Sequence, residues 1–131
     1  MVSRQNVYFL SDLHIADPRE PRTRRLLERL RQMGDDAKTI YLLGDIFDFW
    51  LGYSSVIFKE FFPVLRVFAE LVDRGVEIVI FSGNHDPDPG QFFSDLGLIV
   101  EEKPRSVRVA EHSIWLEHGD VIDPRGRFSR T

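Results

Sequence analysis

Cysteine is absent from the 131 residues, which excludes a disulfide framework, a zinc-thiolate site and a thiol nucleophile. Long apolar runs are missing too. Residues 1–10 carry Arg4 and a short apolar stretch that meets Asp12 almost at once, unlike a secretory signal or a spanning helix. Any membrane contact is therefore expected to be peripheral, and a cysteine-free chain suits the cytoplasm. A surplus of positive charge is the third absence. The formal net charge is -4, so no global basic field exists to hold nucleic acid, although residues 19–31 are locally basic. Nucleic acid is not an expected partner.

With 43% hydrophobic and 29% charged residues the composition is that of a globular protein, and the length gives room for one compact domain but not two. Four short apolar runs, residues 7–10, 39–43, 76–81 and 113–117, read as buried strands. Between the first two, Leu26, Leu27, Leu30 and Met33 recur at helical spacing while Arg24, Arg25, Glu28 and Arg31 fall elsewhere. An amphipathic helix opened by Pro21 and closed by Gly34 is expected there. A second helical pattern, Phe61, Leu65, Phe68, Leu71 and Val72, ends at Gly75, with Pro63 predicted to kink or restart it. A short helix over 91–96 leads into an extended 98–100, and residues 105–110 and 113–117 form a predicted hairpin turning at Glu111 and His112. His112 has no polar cluster around it and is given no role. Strands alternating with helices indicate right-handed crossovers and an α/β fold with a parallel sheet.

Each strand is followed by a polar cluster: Asp12-Leu13-His14, Gly44-Asp45, Gly83-Asn84-His85-Asp86 and His118-Gly119-Asp120. In a parallel sheet the strand C-termini share one edge, where open α/β sheets gather their ligands. Each cluster alone has an ordinary reading as turn chemistry. Together, and all at strand ends, they point to a metal site, because Asp, His and Asn supply oxygen and nitrogen donors suited to Mn, Fe, Co or Zn. Two divalent ions about 3.5–4 Å apart would clamp the attacking and leaving oxygens of a phosphoryl displacement. Asp45 is the natural bridge between them, being central in the set and preceded by the small Gly44.

In their order the clusters resemble the calcineurin-like metallophosphoesterases, whose pattern runs D-x-H, G-D, G-N-H-D/E, H and finally G-H-x-H. The resemblance implies that Asp12 and His14 bind one metal, that Asp45 bridges, and that Asn84 and His118 bind the other. It implies that His85 touches the scissile phosphate or protonates the leaving oxygen, with Asp86 orienting its ring and Asn84 also meeting substrate. The implied fold is the N-terminal half of a four-layer αββα sandwich, with a mixed, largely parallel sheet and flanking helices. The longer string Gly44-Asp45-Ile46-Phe47-Asp48-Phe49-Trp50, with Phe9-Leu10-Ser11-Asp12-Leu13-His14, is similar to the UDP-2,3-diacylglucosamine pyrophosphohydrolases. Some branches of that family carry Arg where His85 stands, so the substrate is less closely specified than the metals.

That similarity implies two divalent ions, manganese first among them, and a nucleotide-linked lipid substrate cleaved to UMP and 2,3-diacylglucosamine 1-phosphate in lipid A synthesis. It also implies a cytoplasmic protein in peripheral contact with the inner membrane. The apolar stretch containing Phe47, Phe49, Trp50, Tyr53, Ile57 and Phe58 is expected mainly to pack a helix on the sheet, any exposed remainder offering a surface to acyl chains. Arg19, Arg22, Arg24 and Arg25 read as a solvated helix face with a second use beside anionic lipid. The rivals are another phosphoesterase of the same superfamily, acting on phosphoproteins, cyclic nucleotides or nucleic-acid ends, and a noncatalytic fragment. No Gly-His-x-His occurs, and His14, His85, His112 and His118 are too few to supply it. Residues 1–131 are therefore expected to be one truncated domain, with weakened metal affinity and a tendency to self-associate through uncovered apolar surface.

Overall fold

The computed structural model describes residues 4–15, 17–44, 46–47, 59–81 and 90–117. Four strands, β1 (Asn6–Leu10), β2 (Ala37–Leu42), β3 (Glu77–Phe81) and β4 (Ile99–Glu101), form one sheet in the order β1-β2-β3-β4. Every pairing in it is parallel. The helices α1 (Pro21–Met33), α2 (Phe62–Asp73) and α3 (Gly90–Leu96) connect successive strands. This is the α/β class read from the alternation of patterns. The antiparallel pairing expected in a mixed sheet is found instead in a separate two-stranded hairpin, β5 (Arg105–Val109) and β6 (His112–Leu116).

Side chains alternate across the sheet with the period of two that a pleated strand imposes. Ile40, Leu42, Ile78 and Ile80 point into a core completed by Leu30 and Met33 of α1, by Val64, Leu65, Val67, Phe68 and Leu71 of α2, and by Phe93 of α3. The three helices thus line one face. On the other face Tyr41, Val79 and Phe81 pack with Val107 and Leu116 of the hairpin, and Phe9 stacks on Tyr41 at 5.3 Å between ring centroids. Burial on both sides explains why β2 and β3 read as continuous apolar runs rather than as alternating ones.

Two expectations about helix punctuation need correcting. Pro63 neither kinks nor restarts α2, because the helix starts only at Phe62, after a 3₁₀ turn at Lys59–Phe61. In the first turn its missing N–H has no intrahelical acceptor to lose. Gly34 does cap α1, but with φ of -60° it is not the left-handed terminator. Its small size is what matters: a Cβ there would lie 2.5 Å from Leu71 Cδ2 of α2. The glycine lets the end of α1 approach α2 closely. The hairpin turns at Ala110 and Glu111, and His112 pairs with Val109 inside β6 rather than forming the turn. Among the described residues no helix is long and apolar enough to cross a membrane.

Candidate metal centre

β1 ends at Leu10 and β2 at Leu42 as parallel neighbours, so the residues that follow leave the same end of the sheet. Their association continues past the strands. Leu43 N–H donates to the Leu10 carbonyl at 2.8 Å, Asp12 N–H to the Gly44 carbonyl at 3.1 Å, and Ile15 N–H to the Ile46 carbonyl at 2.8 Å. Ile15 also bridges Phe47 in parallel register. Ile15, Ile46 and Phe47 are buried and anchor this zipper in the core, Phe47 packing against Phe61 at 4.8 Å between centroids.

Within the zipper Asp12 and His14 adopt φ of 59° and 47°, and Gly44 adopts 114°. Left-handed backbone is uncommon for residues with side chains, costs of order 1–3 kcal/mol and gathers at functional sites. At Gly44 the missing Cβ removes that cost, the backbone role foreseen for it. The result at Asp12 and His14 is convergence: His14 Nε2 lies 2.5 Å from Asp12 Oδ1, with side-chain exposures of 44% and 76%. One oxygen and one nitrogen donor therefore meet at a solvent-accessible point beside a core-anchored backbone. That donor chemistry fits a divalent cation of the Mn, Fe, Co or Zn kind.

Of the expected site residues the structure brings Asp12 and His14 together. Asp45, Asn84, His85, Asp86 and His118 lie outside the described residues, as do residues 49–58 of the apolar stretch. Among the described residues no group of three or more His, Asp or Glu forms a cation site. The two residues flanking Asp45 in sequence, Gly44 and Ile46, both accept hydrogen bonds from the segment that carries Asp12 and His14. β3 reaches the same end of the sheet at Phe81, immediately before the Gly83-Asn84-His85-Asp86 string.

The fourth cluster is approached differently from the sequence reading. β6, which precedes His118, belongs to the hairpin and not to the parallel sheet, so the four clusters do not all follow strands of one sheet. The cause is local: a two-residue connection can only return the chain antiparallel, whereas a parallel neighbour needs a long crossover.

Arg22 has a role beyond the solvated, lipid-facing helix face expected of it. Arg22, in the first turn of α1, donates from Nη2 to the His14 carbonyl at 3.0 Å and ties the left-handed segment to the helix. Its spacing puts it on a stripe with Arg25 and Arg29, but nothing in the sequence signals its contact with the His14 carbonyl. Arg22→Ala is expected to speed amide exchange at Ile15 and, if His14 holds a divalent cation, to weaken its binding roughly tenfold, the scale typical of lost support behind a metal ligand. Unchanged exchange and unchanged affinity would deny the bracing role. Arg19 is engaged elsewhere, forking onto Asp17 at 3.0 and 3.1 Å. Its hydrogen bonds hold the Asp17 carboxyl below the usual range.

Comparison with known proteins agrees with this geometry. The family model described as calcineurin-like phosphoesterase matches residues 6–130. A protein named UDP-2,3-diacylglucosamine hydrolase from Porphyromonas gingivalis is 39% identical over 125 residues, covering 89% of this chain and 47% of the relative. Proteins of the same name from Stutzerimonas stutzeri and Pseudomonas entomophila are 32% and 30% identical over 121 residues, each alignment covering 91% of this chain and 50% of the relative. The chain thus spans about half the length of the curated relatives it matches. The family implies divalent metal ions, the class of ligand that the Asp12 and His14 donors suit. With the family match running over nearly all of its residues, the chain belongs to the calcineurin-like phosphoesterases.

Proposed function

We propose that the protein carrying this chain hydrolyses UDP-2,3-diacylglucosamine to UMP and 2,3-diacylglucosamine 1-phosphate, a step of lipid A synthesis, using two divalent ions, manganese foremost. The observation that carries this reading is the 39% identity to a relative named for that hydrolysis. The core-anchored meeting of Asp12 with His14 supports it from the side of the chemistry. Cytoplasmic placement with peripheral contact at the inner membrane belongs to the same reading, since a diacylated substrate resides there. Residues 1–131 are then one domain of that protein.

In this proposal Asp12 and His14 hold the first ion, Asn84 and His118 the second, and Asp45 is shared by both. Bound there, the pair would supply positive charge to the phosphoryl oxygens and lower the pKa of water. Asn84 and His85 contact the substrate phosphate. His85 gives its proton to the departing phosphate oxygen as one pyrophosphate P–O bond breaks and water supplies its replacement. Asp86 accepts from the other ring nitrogen and fixes the imidazole's orientation.

A substrate panel with Mn²⁺ tests the reading on the complete protein. UMP release from the UDP-linked lipid is expected to exceed hydrolysis of nitrophenyl phosphates, cyclic nucleotides and single-stranded DNA. The reverse ranking would assign the chain to another branch of the family. Two bound ions with no turnover on any substrate would favour a noncatalytic role.

A further inference from the structure

Helix α1 carries Arg22, Arg25 and Arg29 at spacings of three and four, which places them on one stripe of the helix. The stripe faces a cleft of about 360 Å³, whose lining also includes Asp12, Ile15 and Thr23. Three like charges along one stripe repel one another and weaken the helix that bears them, so each calls for a counter-charge. Among the described residues none of the three lies within ion-pair distance of a carboxylate. The contrast lies on neighbouring helix faces: Arg31 and Arg66 both meet Glu70, and Arg74 meets Asp35 at 2.7 Å.

Two of the three guanidinium groups, those of Arg22 and Arg29, are also partly held in place. Arg22 spends one of its five N–H donors on the His14 carbonyl and keeps the others. Arg29 lies over the Tyr8 ring at 5.9 Å, and Tyr8 is itself fixed by donating to Asp36 Oδ1 at 2.7 Å. Among the described residues, the three positive charges face one carboxylate in the cleft lining, Asp12, already in contact with His14. Planar guanidinium donors gathered around a concavity, two of them held in place, are an arrangement suited to phosphate oxygens.

We propose that the cleft between α1 and the segment bearing Asp12 is an anion site that takes a phosphate group through Arg22, Arg25 and Arg29. It adjoins the candidate metal centre through Asp12, yet it needs neither a metal nor hydrolysis to bind. Its failure and that of the proposed hydrolase function are therefore separable.

The test is calorimetric titration of the 131-residue chain with pyrophosphate at low salt, without divalent metal, alongside flotation with vesicles of phosphatidylcholine alone or with phosphatidylglycerol. Saturable pyrophosphate binding is expected, weakened about tenfold by Arg25→Gln or Arg29→Gln, the scale of one charge-assisted hydrogen bond. Arg24→Gln removes the same charge from the same helix without touching the cleft lining, and should leave the affinity unchanged. Pyrophosphate binding with this pattern identifies a soluble phosphate as the source. Retention only on phosphatidylglycerol vesicles, with the same dependence on Arg25 and Arg29, identifies a lipid headgroup. No binding in either arm, or an equal loss on Arg24→Gln, would overturn the site and leave only diffuse surface charge.

Discussion

Alanine in place of Asp45 is expected to abolish hydrolysis in the complete enzyme, with turnover falling on the order of a thousandfold or more. The proposal makes this carboxylate the one ligand common to both ions, so its loss empties two positions and restores the repulsion it had offset. The neighbouring backbone gives the side chain no easy substitute. Gly44 and Ile46 are both bonded to the segment carrying Asp12 and His14, so a water or an adjacent residue would have to fill a gap whose borders are fixed. Asp45→Asn keeps the shape but removes the charge, and is expected to lose affinity for both ions as well. His14→Ala, which removes a ligand to one ion only, should lose one. Metal content after gel filtration, read beside UMP release, separates these cases. Near-normal turnover by Asp45→Ala with two ions retained would refute the bridge.

The second large effect concerns folding. Phe68 is fully buried in the face of α2 that packs on the sheet, among Leu65, Leu71 and Val64. Phe68→Ala removes most of an aromatic ring and leaves a cavity that rigid helix and sheet backbones cannot close, at a cost of about 3–5 kcal/mol. Against a typical domain stability of about 5–15 kcal/mol, that is a large share of the total. Urea unfolding should show a lower midpoint with an unchanged slope. The neighbouring helix turn supplies the control. Phe62 is 54% exposed, and Phe62→Ala should change stability by no more than about 0.5 kcal/mol. Similar midpoints for the two variants would mean that the packing assigned to Phe68 is wrong.

Much of this fold was legible because its signals are local. Leu30 and Met33 fall on the face of α1 that α2 and the sheet bury, and Pro21 stands where the helix begins. The two central strands were legible as apolar runs because the sheet is covered on both faces there. Asp12 and His14 were legible because two donors spaced by one residue follow a strand directly. What escaped the sequence depends on tertiary distance. The reason for a glycine at position 34 is the nearness of Leu71, which is remote in sequence. The separation of the β5–β6 hairpin from the parallel sheet is decided by which edges pair, and alternation of residues does not encode that. Arg22 differs from Arg24 in reaching the carbonyl of His14 and in lining the cleft beside α1. Pro63 shows the converse, a strong local signal whose meaning changed when the helix began one residue before it.

The strand order β1-β2-β3-β4 matters for how the molecule comes into being as well as for its final shape. Each strand of this sheet pairs with the one synthesised just before it, and none is inserted between two earlier ones. A chain emerging from the ribosome can therefore lengthen these four strands by accretion, closing one crossover at a time. The pairings that join residues 12–15 to 44–47 are available as soon as Phe47 has emerged, before β3 has left the ribosome. On that schedule Asp12 and His14 are brought together early in synthesis, and later segments add to a corner already folded.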